Sequence, residues 1–410
     1  MKTRSTVISL ILGLLGGLAA CDGGADPTSP IDRLPRTLTV AEQHVARSTV
    51  GFGIDLLQRV YGTAEAGNVL LSPLSASAAL GMTLNGAVGA TYDNMAAALR
   101  LEGLSLEEIN ASYRDLMGLL VDLDPHVQVA IGNSIWYREG RIVLEPDFTS
   151  TVRSAFAAEA RELDFDAPIA TQTINAWVKQ ATNGRIEEIV KTIPSSIVAY
   201  LINAVYFKAP WTEPFDPDDT RPGPFESADG DVTMVPFMKA ELPAGVLHNA
   251  LFTGLDLAYG GGAYRMTILL PDRATGLDGL IDAMDADQWN AWMAAFEESE
   301  RVSVSMPKYR IEYEKVLNET LVALGMGIAF DGGADFSRMV RGGGVWIDEV
   351  KQKTFMEVNE EGTEAAAVTS VSMRDSAPLP VVIDRPFLVA IRERFSGTVL
   401  FLGAIHSPEQ

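Results

Sequence analysis

The nine residues Ala199–Phe207, AYLINAVYF, constrain the fold more than any other stretch of this chain. Asn203 is their one strongly polar side chain, so the run has no amphipathic alternation. Continuous apolar runs of this length are typical of a strand in the middle of a sheet that is covered on both faces. A buried amide needs hydrogen-bond partners, and we therefore expect Asn203 to belong to a buried polar network.

Helical and strand-like patterns are unevenly distributed around that run. Before it, apolar residues recur every three or four positions in stretches such as Val40–Tyr61, which is typical of helices. After it, alternating patterns such as Arg301–Met306 are frequent, although Gly276–Phe296 and Lys315–Met326 favour helix. No repeat or internal linker divides the chain, so we predict one mixed α+β domain over residues 39–410.

The first twenty residues have the pattern of a secretion signal. A basic start at Met1–Arg4 precedes the apolar stretch Ile8–Leu18, which is shorter than the roughly 20 residues that cross a bilayer. The stretch ends in Leu-Ala-Ala-Cys21, which resembles a bacterial lipoprotein cleavage box, in which the cysteine takes the lipid. Cys21 is the only cysteine of the chain, which favours lipidation over the alternative, an ordinary signal peptide with an incidental cysteine.

Several expectations follow from this N-terminal pattern. Residues 1–20 are the lipoprotein signal peptide, and residues 21–38, rich in Gly, Pro, Asp and Ser, form a flexible tether. The domain is then lipid-anchored through Cys21 in a bacterial cell envelope, facing the periplasm or the exterior. A single cysteine also excludes an intrachain disulfide, so the core must hold the fold together.

The overall charge and the missing motifs exclude several classes of function. The formal net charge of −22, from 54 acidic and 32 basic residues, argues against nucleic acid, because phosphate binding needs clustered Lys and Arg. The four histidines show no metal-ligand spacing, and no nucleophile elbow, zinc-protease motif or phosphate loop is present. We predict no cofactor, no metal site and no enzyme activity; a hydrolase is the unsupported alternative.

A second stretch, Glu357–Ser372, has no single structural preference. Its start is strand-like, Glu364–Ala367 is typical of helix, and the Val and Thr residues that follow favour strand again. From Thr363 onward, every second residue is uncharged, so one face of a strand formed here is suited to burial: Thr363, Ala365, Ala367, Thr369, Val371 and Met373. The alternative, a surface helix, does not account for this alternation.

A series of segments along the chain together resembles the serpin family over residues 40–408. They are Asn68–Ser75, Asn175–Val178, Thr182–Ile186, Leu201–Lys208 with Trp211, Pro214–Phe215, Ser305–Tyr309, Glu357–Ala367, Asp384–Leu388 and Leu402–Ala404. The resemblance implies the serpin fold, with helices packed on large, mostly antiparallel sheets and an exposed reactive-centre loop near the C-terminus. It also implies a single-use inhibitor, whose loop is cut by a protease and then inserts into the main sheet.

The resemblance assigns roles to particular residues of this chain. It places the hinge of the reactive loop at Glu360, Gly362, Thr363, Glu364, Ala365, Ala366 and Ala367. At the loop base, Glu360 should pair with Lys308 beside Trp211. A polar network at the sheet opening falls on Ser72, Ser75, Asn203 and Gln352. Gln352 stands where the family commonly has a histidine; it can donate and accept but does not titrate, and alternatively it is only a strand-end residue.

Two counts place the reactive bond at different residues. Counting forward from Gly362 by the family's usual loop length places it after Ser376, and counting back from the strand that follows the loop places it after Asp375. By side-chain chemistry, Arg374 suits a trypsin-like specificity pocket, and Met373 suits an elastase-like or chymotrypsin-like one. We favour Arg374 and keep the other three as alternatives.

Two functions are consistent with this resemblance. The first is a suicide-type inhibitor that traps a serine or cysteine protease as a covalent acyl complex. The second is a non-inhibitory serpin that acts as a binding module. The small hinge residues favour the inhibitor, because non-inhibitory members often have bulky or charged residues there. We expect a monomer whose partners are the target protease and, through lipidated Cys21, a membrane.

Overall fold

The structure, a computed structural model, describes residues 30–63, 67–363 and 379–408. The α-helices in this part of the chain are α1 (Val40–Tyr61), α2 (Pro73–Leu84), α3 (Gly89–Ala98), α4 (Leu106–Asp122), α5 (Pro146–Phe156), α6 (Ala170–Ala181), α7 (Gly276–Asp282), α8 (Ala286–Ala294) and α9 (Asn318–Leu321). A π-helical turn, Val322–Met326, follows α9. No helix among these residues is long and apolar enough to cross a membrane.

Fifteen strands lie in the same described residues. They are β1 (Val69–Leu71), β2 (Gln128–Arg138), β3 (Glu159–Leu163), β4 (Ala199–Pro210), β5 (Arg221–Glu226), β6 (Val232–His248), β7 (Phe252–Tyr259), β8 (Tyr264–Pro271), β9 (Glu297–Pro307), β10 (Tyr309–Val316), β11 (Val350–Val358), β12 (Gly362–Thr363), β13 (Leu379–Val382), β14 (Phe387–Glu393) and β15 (Val399–Ile405). They form two sheets, and most neighbouring strands are antiparallel.

The larger sheet has nine strands in the order β1-β15-β14-β8-β7-β6-β9-β13, with β5 paired to β6. The smaller, six-stranded sheet has the order β10-β11-β4-β2-β3, with the two-residue strand β12 paired to β4. Helices of the first half of the chain, chiefly α1, α2 and α4, pack together with β15 and β4. This is the predicted α+β architecture.

Strand β4 is the central strand that its sequence predicts. Its odd-numbered residues Val205 and Phe207 lie in the core between the two sheets. There the centroids of the Phe207 and Tyr264 rings are 5.7 Å apart. Its even-numbered residues Ile202 and Ala204 lie in a separate cluster beneath α6. The apolar run is therefore continuous because both faces of the strand are covered.

Two predicted helices differ from the observed elements. Gly276–Phe296 is interrupted at Ala283–Asp285, and the Asp285 carboxylate accepts a hydrogen bond from the Gln288 N–H to cap α8. The residues expected to begin the helix Lys315–Met326 instead end strand β10, which is paired with β11. In both places, tertiary pairing or a local cap overrides a helical pattern that is only moderately strong.

The segment 30–38, which we call the strap, lies against the domain although the sequence predicts a flexible tether there. The Ile31 N–H donates to the Gly261 carbonyl at 2.8 Å, and the Ile31 side chain packs on the core between the sheets. Arg36 forms an ion pair with Glu42, the buried residue that completes the capping box of α1. The domain therefore begins by residue 31 rather than at residue 39.

Candidate functional site

The six-stranded sheet is incompletely paired at its centre. Strand β11 pairs with β10 over Lys351–Val358. It pairs with β4 only over Val350–Gln352, opposite Leu201–Asn203. In the described structure, Lys353–Val358 therefore has no ladder partner on its β4 side. We call the facing edges, Lys353–Val358 and Ala204–Ala209, the seam.

Strand β12 occupies the end of the seam where β4 finishes. Gly362 pairs with Pro210 and Thr363 pairs with Ala209, both antiparallel. Since β11 is parallel to β4, the chain must reverse between β11 and β12. The two residues of β12 thus lie on the edge of β4 at this end of the seam.

The reversal takes place in a tight turn from Asn359 to Gly362. The Asn359 side-chain oxygen accepts hydrogen bonds from the N–H groups of Glu361 and Gly362, at 3.0 and 3.2 Å. Gly362 has φ +139°, and a Cβ atom there would lie 2.2 Å from the Ala209 carbonyl oxygen. Only glycine combines this backbone conformation with so close an approach to β4.

Thr363 is the first residue of β12 that faces the core. Its side chain is 4% exposed, and its hydroxyl shares a 2.8 Å hydrogen bond with the hydroxyl of Tyr259. Burial raises the pKa of Tyr259, so this hydroxyl keeps its proton. The ring of Tyr259 stacks on Trp211 with centroids 4.4 Å apart. The slot that Thr363 enters is therefore narrow and lined by aromatic rings.

Glu360 connects this turn to the neighbouring strands. Its carboxylate lies 2.8 Å from Lys308 Nζ and accepts a hydrogen bond of 2.7 Å from the Thr220 hydroxyl. Burial acts to raise the pKa of Glu360, but the hydrogen bonds from Lys308 and Thr220 outweigh it and hold that pKa below its ordinary value. The carboxylate therefore stays charged and fastens the turn to the loop between β9 and β10.

Trp211 holds the same turn through its backbone and its ring. Its indole N–H donates to the Asn359 carbonyl at 2.9 Å, and its main-chain N–H donates to the Glu361 carbonyl at 3.0 Å. The structure thus brings together Glu360, Lys308 and Trp211, the three residues assigned to the loop base. Thr220, Tyr259 and Asn359 complete the site, and sequence reasoning missed them.

The other end of the seam is closed by a polar contact. The Gln352 side-chain oxygen accepts from the Ser72 N–H at 2.9 Å, and its amide nitrogen donates to the Ser72 carbonyl at 3.0 Å. The Ser72 hydroxyl donates to the Leu400 carbonyl at 2.6 Å. Gln352 is therefore bonded through both side-chain groups to the residue that precedes α2.

The remaining two residues of the predicted network are placed differently. Asn203 lies opposite Gln352 in the ladder, but its side-chain nitrogen donates to Asn133 at 2.6 Å. Its side-chain oxygen is buried and has no hydrogen-bond partner among the described residues. Ser75 is buried in the first turn of α2, and no hydrogen bond in the described structure joins it to the other three. Asn133 of β2 is the partner of Asn203 that sequence reasoning missed.

Other predicted site residues lie outside the described part of the chain. These are the lipidation site Cys21, the hinge residues Glu364, Ala365, Ala366 and Ala367, and the reactive-bond candidates Met373, Arg374, Asp375 and Ser376. The described chain resumes at Leu379, where β13 pairs in parallel with β9 of the nine-stranded sheet. The two ends of the intervening segment are therefore held by different sheets.

Fold and site together define a class of protein, an α+β domain with an incomplete central sheet and the start of a further strand at its open end. A profile of one family, described as Serpin (serine protease inhibitor), matches residues 47–408. Leukocyte elastase inhibitor from Bos taurus is 32% identical over 380 residues, covering 89% of this chain and 100% of its own length. Iripin-8 from Ixodes ricinus is 32% identical, and the alignment covers 88% of this chain and 93% of the length of Iripin-8. The chain belongs to the serpin family.

Solved structures agree with this assignment. The native state of Tengpin, a thermophilic serpin, superposes with a TM-score of 0.83 at 30% identity, covering 93% of this chain and 97% of that one. Thyroxine-binding globulin in complex with thyroxine gives a TM-score of 0.82 at 26% identity, and the superposition covers 89% of this chain and 99% of that one. The fold is that of the serpins, and the relatives of this chain include protease inhibitors.

Proposed function

We propose that the protein is a suicide-type inhibitor that traps a serine or cysteine protease as a covalent acyl complex. The observation that carries the proposal is strand β12, which already enters the seam with a defined register on β4. Strand addition to an unpaired edge is driven by main-chain hydrogen bonds and does not need a specific side chain at each position. The seam offers such an edge on both sides.

The register of β12 specifies where the following residues go in the inserted state. Each further residue moves one position back along an antiparallel partner, so Ala365 comes opposite Phe207 and Ala367 opposite Val205. Phe207 and Val205 face the core between the sheets, where small methyl side chains fit beside them. A charged residue at either alanine position would cost several kcal/mol to bury.

The same register extends to the closed end of the seam. Thr369 comes opposite Asn203, whose side-chain oxygen lacks a partner among the described residues. A threonine hydroxyl there can donate the missing hydrogen bond. To reach this depth the strand must separate Gln352 from Asn203, which lie opposite each other in the ladder between β11 and β4. The hydrogen bonds between Gln352 and Ser72 hold Gln352 in place, so they oppose the separation that insertion requires.

The covalent step is ordinary acyl transfer. The protease nucleophile attacks the carbonyl carbon of the reactive residue, Arg374 in our preferred assignment, and an ester or thioester bond forms to that carbon. The peptide bond breaks, and the amine of the next residue leaves with the proton that the protease base took from the nucleophile. Because β12 and β13 belong to different sheets, the cut ends are free to separate.

Insertion then competes with hydrolysis of the acyl-enzyme. If the strand inserts first, the attached protease is carried along the sheet and stays covalently bound. If water attacks first, the protein is released as a cleaved substrate. The role of the domain is therefore a fast change of fold after cleavage, and its own side chains perform no catalytic step.

The proposal includes the location of the protein. A lipid on Cys21, which ends a Leu-Ala-Ala-Cys sequence, would anchor the monomeric domain in a bacterial cell envelope facing the periplasm or the exterior. The acidic net charge of −22 argues against a nucleic-acid partner. A non-inhibitory binding role is the second candidate, because thyroxine-binding globulin in complex with thyroxine has the same fold.

The test is incubation of the full-length protein with a panel of serine and cysteine proteases. We expect a complex that survives denaturing electrophoresis and a released C-terminal peptide whose mass identifies the reactive bond. A peptide that begins at Asp375 supports Arg374 as the reactive residue. Cleavage of the loop by every protease without any stable complex would favour the binding-module alternative.

A further inference from the structure

The strap leaves the domain beside the base of the reactive loop. Ile31 is hydrogen-bonded to Gly261 in the turn that joins β7 to β8. The neighbouring Gly260 N–H donates to the Pro210 carbonyl at 2.9 Å, and Pro210 is the residue paired with Gly362 of β12. The N-terminal end of the described chain is thus separated from the loop base by a single turn of chain.

This end of the domain, which we call the loop pole, also carries the ring contact between Trp211 and Tyr259. The opposite pole is the end where β4 begins at Ala199 and β11 begins at Val350. The Leu317 N–H donates to the Val350 carbonyl there at 2.8 Å, and α9 and the π-helical turn Val322–Met326 follow Leu317 directly. A compact domain of this size has a radius of gyration of about 21 Å, so the two poles are roughly 50 Å apart. The position at which the chain leaves the domain therefore decides which pole a short anchor can bring close to a surface.

The chain available for an anchor is short. Between Cys21 and the first described residue, Pro30, lie the eight residues 22–29. Fully extended, eight residues span at most about 28 Å. A lipid on Cys21 would therefore hold the loop pole within about one tether length of the bilayer, whereas the opposite pole would lie a domain diameter farther away.

We propose that the anchored domain turns its loop pole toward the membrane and that its target is a protease held at the surface of the same membrane. The inference rests on the proposed lipidation and inhibitory function and adds the orientation and the class of partner. A protease fixed to the bilayer meets the loop within the same thin layer, which raises their effective concentration. A soluble protease has to enter the narrow space between the loop pole and the lipid headgroups.

Energy transfer tests the orientation directly. The full-length lipidated protein is placed in vesicles that contain a headgroup-labelled acceptor lipid. A donor dye is attached at a cysteine introduced at an exposed position, Glu213→Cys beside the β7–β8 turn or Ala323→Cys at the opposite pole. We expect severalfold stronger transfer from Glu213→Cys. Equal or reversed signals from vesicle-bound protein would overturn the proposed orientation.

Two controls separate this inference from the proposals beneath it. Ile31→Gly removes the side chain that fixes the strap, and it should reduce the difference between the two labels without releasing the protein from vesicles. Protein with an intact Cys21 that does not bind vesicles at all would overturn the lipid anchor and, with it, the orientation. Neither readout depends on inhibition.

A kinetic arm tests the partner. The same protease is presented free or attached to the vesicle surface, and the rate of stable-complex formation is compared. The lipidated protein should react severalfold faster with the attached protease, whereas soluble Cys21→Ser protein should show no preference. Equal rates for the lipidated protein would overturn the partner assignment, and absence of any complex would instead contradict the inhibitory function.

Discussion

Replacing Thr363 with arginine tests the mechanism at the first inward-facing residue of the inserting strand. Thr363 is 4% exposed and bonded to Tyr259, and in the described part of the chain β12 is paired with β4 through Gly362 and Thr363. An arginine cannot occupy this slot without burying an unpaired charge. We therefore expect β12 of Thr363→Arg to leave the seam while the rest of the domain stays folded.

The size of the effect follows from these contacts. Leaving the buried Tyr259 hydroxyl unsatisfied costs about 1–3 kcal/mol, and burying the guanidinium costs several kcal/mol more. If about 3 kcal/mol of this cost appears in the barrier to insertion, insertion slows by roughly 150-fold. Hydrolysis of the acyl-enzyme then finishes first, and the variant becomes a plain substrate.

The assay compares the yield of denaturation-stable complex with the yield of cleaved protein for one protease. Thr363→Ser is the matched control, because it keeps the hydroxyl that bonds Tyr259 and should retain nearly the full yield of complex. Thr363→Arg should still be cleaved at the same bond. A full yield of complex from Thr363→Arg would refute the assignment of Thr363 as the start of the inserting strand.

Three further predictions concern the two ends of the seam. Glu360→Lys places a second cation against Lys308, and because Lys308 is one-third exposed this repulsion costs roughly 2 kcal/mol. The variant should form polymers on mild heating, seen by size-exclusion chromatography, whereas the control Glu361→Lys should stay monomeric. The folded-state pKa of Glu360 is lowered, so its ion pair with Lys308 stabilises the wild-type protein at pH values above the unfolded pKa of about 4.3. In thermal melts, this stabilisation should disappear as the pH falls below that value. An equal loss of stability in acid for Glu360→Gln, which lacks the titrating carboxyl, would contradict this. Gln352 does not titrate, so Gln352→His should lose stability below about pH 6.5 by charging a buried imidazole, and unchanged melts from pH 8 to 5 would show that the Ser72 contact is not closely packed.

Strong local patterns were predictable from the sequence. The run Ala199–Phe207 predicted the central strand, and the three-and-four spacing of Val40–Tyr61 predicted α1 with the observed bounds. These features depend on periodicity and backbone conformation, which a short stretch of sequence carries by itself.

Features that depend on distant parts of the chain were not predictable in the same way. Tyr259 contacts Thr363 of β12, and Thr220 contacts Glu360 in the preceding turn, each from more than 100 residues away in the sequence, and nothing in their own surroundings marks them. The strap has the composition of a linker, yet the Ile31 N–H donates to the Gly261 carbonyl and the Ile31 side chain packs on an apolar surface of the domain. Pairing of this kind is fixed by tertiary structure, not by local propensity.

Amide hydrogen–deuterium exchange before and after loop cleavage tests the central claim most directly. The loop is cut by a protease that forms no stable complex, and exchange is followed at residues 204–209 and 353–358, the two edges of the seam. If the cut loop inserts as a strand, the amides facing the seam gain ladder partners, so their exchange slows, and the melting temperature rises even though the chain has been cut. Unchanged or faster exchange at both edges, together with an unchanged or lower melting temperature, would contradict insertion.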